Sequence, residues 1–178
     1  MKRVILTVGP RGSGKSTFCE KVIAIHPEVV LVSRDAILLE MFGSVELSPY
    51  AGDHYIGKMR MWEIAAEYLK REDITIILDC WNGFARERYE ITTNLRKLGA
   101  EVIEAWYFVT PEETVIKWTL EREPVKSGKW AETTRRMRAD SCHHDYQLFH
   151  SQPVKPDQGF NAIHRINPLR LTPDAAPL

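Results

Sequence analysis

This chain of 178 residues has few cysteines, no net charge and no long apolar run. Its three cysteines are an odd number without a C-x-x-C pair, which argues against a disulfide framework or a paired-cysteine zinc site. Lysine plus arginine equal aspartate plus glutamate at 24 each, so any binding of nucleic acid would need a local basic patch. We therefore expect reduced thiols, with no disulfide partner, in a cytoplasmic protein.

The apolar run near the N-terminus ends at Val8, which makes it too short for a signal peptide or a membrane span. We expect an unsecreted, soluble protein that binds no membrane. With 44% hydrophobic residues, the chain can bury the core of one domain, which we place at residues 1–170. The small, proline-containing segment 171–178 is expected to be a frayed tail.

Strand and helix patterns alternate along the chain. The β-branched run at residues 4–8 is typical of a strand buried on both faces, and a helical pattern follows at 15–25. Further strands are predicted at 29–32, 74–78, 102–109 and 162–166, and further helices at 36–42, 55–69, 86–98, 111–121 and 131–149. This order predicts an α/β layered fold with a mostly parallel sheet, which binds ligands at the carboxyl ends of its strands.

Residues 9–16, GPRGSGKS, match the pattern G-x-x-x-x-G-K-[ST] between the first strand and the first helix. We call them the P-loop. Glycines let such a loop turn its backbone N–H groups toward phosphate oxygens, and the helix N-terminus adds a favourable dipole. Lys15 is expected to reach the β and γ phosphates and the Ser16 hydroxyl to ligate Mg²⁺. The predicted ATP-binding residues are Gly9, Gly12, Ser13, Gly14, Lys15, Ser16 and Thr17.

Two aspartates follow predicted strands. Asp79 ends an apolar strand, where proteins with a P-loop place an acid that holds the Mg²⁺ shell, although it could instead cap the next helix. Asp35 follows the second strand, so it is expected at the same rim of the sheet. There it could accept a proton from an attacking hydroxyl or, equally, act as a helix N-cap.

Residues 122–129 form a basic segment with one proline and one glycine between two predicted helices. Such a segment can act as a lid, here at about residues 122–131, that brings Arg122 to the charge that develops on the transferring phosphate. A solvated turn is the alternative. The sequence Cys-His-His-Asp at 142–145 is not interpreted as a metal site, because adjacent histidines on a helix point in different directions.

In these motifs the chain resembles the 5′-hydroxyl polynucleotide kinases of phage repair enzymes and of animal kinase–phosphatases. The resemblance begins with VILTVGPRGSGKST at residues 4–17 and continues with VSRDA at 32–36. It returns in IILDCWNGFARERY at 76–89, which contains Asp79, Asn82 and Arg88, and in GFNAI at 159–163.

The resemblance implies a three-layer P-loop fold with a five-stranded parallel sheet and a helical lid, and it implies ATP with Mg²⁺. It also implies that Asp35 is the general base on the acceptor hydroxyl and that Arg122 contacts the transferring phosphate. One position departs from the family. Three residues after the aspartate, the phage enzyme carries an arginine that grips the acceptor's phosphate, whereas this chain has Leu38.

These observations predict an ATP-dependent kinase whose acceptor is a hydroxyl, with the 5′-OH of DNA or RNA favoured by the resemblance. A second hypothesis keeps the donor chemistry but changes the acceptor to a hydroxymethylated base in phage DNA, a nucleoside or a small metabolite. Leu38 and the balanced charge favour that alternative. A third hypothesis is a nucleotide-dependent switch, which would need no base such as Asp35.

Overall fold

The computed structural model describes residues 1–43, 53–122 and 135–178. Its strands form one sheet with the order β2-β3-β1-β4-β5, and every neighbouring pair is parallel. The strands are β1 (Lys2–Val8), β2 (Val29–Ser33), β3 (Ile74–Asp79), β4 (Val102–Phe108) and β5 (Ala162–Ile166). The predicted α/β fold with a parallel sheet of about five strands is therefore confirmed.

Helices alternate with these strands as the sequence predicts. They are α1 (Lys15–Ile25), α2 (Arg34–Phe42), α3 (Asp53–Tyr68), α4 (Ala85–Lys97), α5 (Glu112–Glu121) and α6 (Arg135–Ser151). α2 begins two residues earlier than predicted because the Ser33 side chain accepts a hydrogen bond from the Ala36 N–H and caps it. Residues 44–52 of the predicted loop and 131–134 of the predicted last helix lie outside the described residues.

The core has two halves, one on each face of the sheet. Val4, Leu6 and Val8 of β1 belong to one half, whereas Ile5 belongs to the other, because successive side chains of a strand point to opposite faces. The first half includes residues of α3, α4 and α6, and the second includes residues of α1. Helices thus cover both faces, which explains the nearly continuous apolar run that predicts β1.

The segment 171–178 is packed, contrary to the predicted frayed tail. Leu171 and Ala176 pack against the α1 half of the core, and residues Pro173–Ala175 form a short 3-10 helix. The Arg3 guanidinium donates a hydrogen bond of 3.0 Å to the carbonyl of Pro177. Composition alone predicts fraying, but two apolar side chains and one backbone acceptor are enough to dock this segment.

Arg88 of α4 is fully buried, and its guanidinium connects the turn after β3 to the segment after α6. Burial lowers the pKa of Arg88. Its acceptors are the Gln158 side chain at 2.7 Å and the carbonyls of Asn82 at 2.9 Å, Gly83 at 3.2 Å, Gln152 at 2.5 Å and Pro153 at 3.3 Å. Arg88, which the resemblance singles out, is therefore a structural residue in this fold.

We expect Arg88→Ala to lower the free energy of unfolding by about 3 kcal/mol, because several buried acceptors lose their donor and a cavity is left. Denaturant unfolding monitored by circular dichroism measures the change. Arg86→Ala is the matched control, since the Arg86 side chain on the same helix is 89% exposed. Equal, small effects of the two substitutions would contradict the structural role of Arg88.

Candidate active site

The P-loop connects the end of β1 to the start of α1 in a backbone conformation that needs glycine. Gly12 has a φ of +79° and Gly14, at the N-cap of α1, a φ of +89°, both in the left-handed region. A Cβ on Gly12 would also lie 2.2 Å from Thr119 Oγ1 of α5. Side chains at either position would therefore distort the loop.

Residues at and after the end of β4 support the P-loop from one side. The Thr110 hydroxyl, which is buried, donates a hydrogen bond of 2.7 Å to the carbonyl of Ser13. The Trp118 ring lies beside Gly14, where a Cβ would be 3.0 Å from the ring. Thr110, and Trp118 of α5, thus help to hold the loop in shape.

Lys15 extends back along the P-loop. Its ammonium donates hydrogen bonds to the carbonyls of Gly9 at 2.8 Å and Pro10 at 2.9 Å. Burial lowers the pKa of Lys15, and the carboxylates of Asp79 and Asp35 oppose that shift. Lys15 therefore contacts the P-loop carbonyls and lies within electrostatic reach of both predicted acids.

Asp79 is 7% exposed at the end of β3, and its two carboxylate oxygens accept from different hydroxyl groups. Ser16 Oγ donates to Oδ2 at 2.9 Å, and Thr7 Oγ1 donates to Oδ1 at 2.6 Å. The alternative interpretation of Asp79 as a helix cap does not hold, because Phe84 occupies the N-cap position of α4.

The donor set around Ser16 and Asp79 fits Mg²⁺, which prefers hydroxyl and carboxylate oxygens together with phosphates and waters. Asn82, 1% exposed, donates to the carbonyls of Thr7 at 2.7 Å and Cys80 at 2.9 Å. Its own Oδ1 is buried and has no hydrogen-bond partner among the residues that the structure describes, so it is free to accept from a metal-bound water. Thr7 and Asn82 thus extend the predicted metal-binding pair by two neighbours.

Asp35 lies in the first turn of α2, at the same rim of the sheet as Asp79. Ser33, two residues before it, pairs with Asp79 in the β2–β3 register. Because Ser33 caps α2, Asp35 is not the N-cap that the sequence left as an alternative. The Asp35 side chain is 58% exposed, and Arg34 donates to its Oδ1 from Nη2 at 2.7 Å and from Nε at 3.1 Å.

A family model described as an AAA domain (AAA_33) matches residues 4–150. The chain belongs to this family. No curated protein matches the sequence. The solved structures that this chain resembles share its fold, which is that of kinases with a P-loop.

Three solved structures illustrate this similarity. A candidate kinase of Chloroflexus aurantiacus is 16% identical over 98% of this chain and 94% of its own, with a TM-score of 0.70. A chain of the Pnkp1/Rnl/Hen1 RNA repair complex is 23% identical over 86% of this chain, with a TM-score of 0.66, and this chain spans only 47% of its length. A sugar kinase of a Janibacter species is 18% identical over 98% of this chain and 88% of its own, with a TM-score of 0.56.

In this AAA-family domain, basic residues lie on the Asp35 side of the rim. Burial, followed by the charge of Asp79, raises the pKa of Cys80 to about 12, whereas Arg34 and Lys58 act in the opposite direction. Cys80 therefore stays a neutral thiol. Arg34 of α2 and Lys58 of α3 therefore lie within electrostatic reach of this strand end.

Leu38 is fully buried and packs against α3, where a Cβ on Gly57 would lie 2.4 Å from Leu38 Cδ2. It therefore belongs to the α2–α3 contact and is closed off from solvent. The departure from the family at this position is accordingly a change in packing as well as a loss of charge.

Arg122 follows the last residue of α5 in an extended conformation and is exposed. Its carbonyl accepts a hydrogen bond of 3.2 Å from Arg138 of α6. The remainder of the predicted lid, including Lys126 and Lys129, lies outside the described residues. The structure therefore brings Lys15, Ser16, Asp79 and Asp35 together, but it gives no contact between Arg122 and them.

Within residues 1–43, 53–122 and 135–178, no three or more histidine, cysteine, aspartate or glutamate side chains are grouped so as to hold a metal ion. Among the helices of these ranges, none combines the length and the apolar character needed to cross a membrane. All three cysteines are free thiols.

Proposed function

We propose that this chain is an ATP-dependent kinase that transfers the γ-phosphoryl group to a hydroxyl, with the 5′-OH of DNA or RNA as the acceptor. The observation that carries the proposal is the position of Asp35. The β2–β3 register brings this acid to the rim where Asp79 binds Ser16, within electrostatic reach of Lys15. A protein that only binds nucleotide has no use for an exposed carboxylate there.

Each residue has a defined task in this proposal. Backbone N–H groups of the P-loop and the Lys15 ammonium bind the phosphates of ATP. Ser16 and Asp79 would hold Mg²⁺, which supplies neutralisation of phosphate charge. Asp35 takes the proton of the acceptor hydroxyl while the hydroxyl oxygen bonds to the γ-phosphorus. The bond between the γ-phosphorus and the oxygen that bridges it to the β-phosphate breaks, and ADP leaves. Arg34 orients the Asp35 carboxylate through its two hydrogen bonds.

A polynucleotide acceptor is favoured by three observations. The ordered motifs around Lys15, Asp35 and Asp79 resemble those of 5′-hydroxyl polynucleotide kinases, and a structural neighbour comes from an RNA repair complex. Arg34, which is hydrogen-bonded to Asp35, and Lys58, which acts on Cys80 at the end of β3, also supply positive charge at this rim, where a phosphate of the acceptor would need it. With Leu38 buried, we propose that these two cations replace the family's gripping arginine.

A smaller or modified acceptor is the second candidate. The balanced charge of the chain provides no general field for nucleic acid, and a sugar kinase is among the structural neighbours. The donor half of the site would be unchanged in that case, and only the group placed beside Asp35 would differ.

A panel of acceptors with γ-labelled ATP and Mg²⁺ distinguishes these candidates. The panel contains 5′-OH DNA, 5′-OH RNA, DNA with hydroxymethylated bases, nucleosides and simple sugars. We expect label on the 5′-OH polynucleotides and none on matched oligonucleotides that already carry a 5′-phosphate. Label confined to modified bases, nucleosides or sugars would contradict the polynucleotide acceptor while keeping the kinase.

We expect Arg122→Ala to lower kcat by about tenfold or more, which corresponds to one charge-assisted hydrogen bond made in the transition state. The Michaelis constant for ATP should rise less than kcat falls, because an interaction absent from the ground state does not contribute to substrate binding. Steady-state kinetics over a range of ATP concentrations measures both.

Lys126→Ala and Lys129→Ala are the controls for Arg122, since both lysines belong to the same predicted lid. The effect of Arg122→Ala should exceed theirs. A neutral Arg122→Ala beside a crippling Lys126→Ala or Lys129→Ala would move the catalytic role to that lysine and leave the lid in place.

A further inference from the structure

A third carboxylate, which the proposed reaction does not use, lies beside the P-loop. Asp145 of α6 is 8% exposed, and its Oδ2 is 3.5 Å from Nε of Arg11 in the loop. That same oxygen is buried and has no hydrogen-bond partner in the described part of the chain. Within the described residues, Asp145 Oδ2 is therefore held against the phosphate-binding loop by charge, without a hydrogen bond.

Two of the three basic groups that act on Asp145 belong to the P-loop. Burial raises the pKa of Asp145, while Arg11, His144 and Lys15 act in the opposite direction. Keeping a carboxylate in such a position is costly unless nearby cations compensate for the lost water. Arg11 and Lys15 are thus the counter-ions of Asp145 when the loop holds no nucleotide.

The same two cations are available to a bound triphosphate. Lys15 is the residue that meets the β and γ phosphates, and the Arg11 side chain is 53% exposed within the loop. A γ-phosphate beside Asp145 would place two anions on one pair of cations, and like charges at short range repel. ADP lacks the γ-phosphate, so its β-phosphate would engage Lys15 but would leave Arg11 paired with Asp145.

We propose that Asp145 is a positioning residue that competes with the γ-phosphate for Arg11 and Lys15. This inference rests on the binding of ATP by the P-loop and is independent of the acceptor. Arg11 is accordingly a further contact of the γ-phosphate.

The test compares the binding of a non-hydrolysable β,γ-methylene analogue of ATP with the binding of ADP, each with Mg²⁺, by calorimetry. We expect Asp145→Asn to raise the ratio of analogue affinity to ADP affinity by about tenfold, since the competing charge is removed. Arg11→Gln should lower the ratio. In the double variant most of the gain from Asp145→Asn should be lost, because the two residues act on each other.

Asp140→Asn is the matched control, because the Asp140 side chain on the same helix is 72% exposed. It should leave the ratio unchanged. A folded Asp145→Asn variant with the wild-type ratio would overturn the inference. This includes a variant whose affinity for ADP rises as much as its affinity for the analogue. If that variant does not fold, Arg11→Gln decides alone: a lowered ratio supports the inference and an unchanged one overturns it. Wild-type protein that binds neither nucleotide would overturn the proposed function as well.

Discussion

Lys15→Ala is expected to lower phosphoryl transfer by about 10³-fold or more, the scale seen when a cation that stabilises a transferring phosphate is removed. Burial lowers the pKa of Lys15, and the nearby carboxylates oppose that shift, so Lys15 is the P-loop cation closest to the chemistry of the site. Arg11 is more exposed and is already engaged by Asp145. Neither it nor any other nearby residue is therefore expected to replace Lys15 at the β and γ phosphates.

The rate is measured as label transferred from γ-labelled ATP to the best acceptor of the panel. Lys21→Ala provides the matched control, because Lys21 is an exposed lysine on the same helix. It should transfer at the wild-type rate. Transfer by Lys15→Ala at a rate close to wild type would show that the GPRGSGKS sequence is not a phosphate-binding loop in this chain.

Asp35→Asn is expected to lower turnover by about 10²-fold or more while leaving the affinity for ATP unchanged. The amide keeps the size of the side chain and an oxygen that can accept from Arg34, but it cannot take a proton from the acceptor. Because Ser33 caps α2, the substitution removes no helix cap. A loss of turnover would therefore report on the chemistry, with folding unaffected.

Single-turnover kinetics and ATP binding are measured together for this variant. Glu40→Gln is the control, since it makes the same carboxylate-to-amide change at an exposed position of α2. We expect no change in either quantity for Glu40→Gln. Weakened ATP binding by Asp35→Asn, with normal turnover at saturation, would instead assign Asp35 a structural role.

The fold could be predicted from the sequence because its signals are local. The β-branched run of β1 indicates burial on both faces, and the structure assigns its alternate residues to the two halves of the core. The packed segment 171–178 could not be predicted in this way. Its docking depends on Arg3 and on the α1 side of the core, both more than a hundred residues away along the chain.

The candidate site, too, could be predicted from the sequence only in part. Asp35 and Asp79 could be placed at one rim because parallel strands end at the same edge of a sheet. Thr7, Asn82 and Asp145 were not predicted as part of the site, since each acquires its position through a partner distant in sequence or through packing. A buried threonine within the apolar run of β1 was the available signal for Thr7. The sequence contains no comparable signal for Asp145, which is an acid next to two histidines on a polar helix.

The destination of the γ-phosphoryl group tests the central claim most directly. Wild-type protein is incubated with a 5′-OH oligonucleotide and ATP labelled at either the γ- or the α-phosphate, and the product is digested to locate the label. We predict label from γ-labelled ATP alone, at the 5′ end, and its loss in the Lys15→Ala and Asp35→Asn variants. Release of inorganic phosphate at the same rate with and without every acceptor, and with no labelled product, would contradict a kinase and favour a nucleotide-dependent switch.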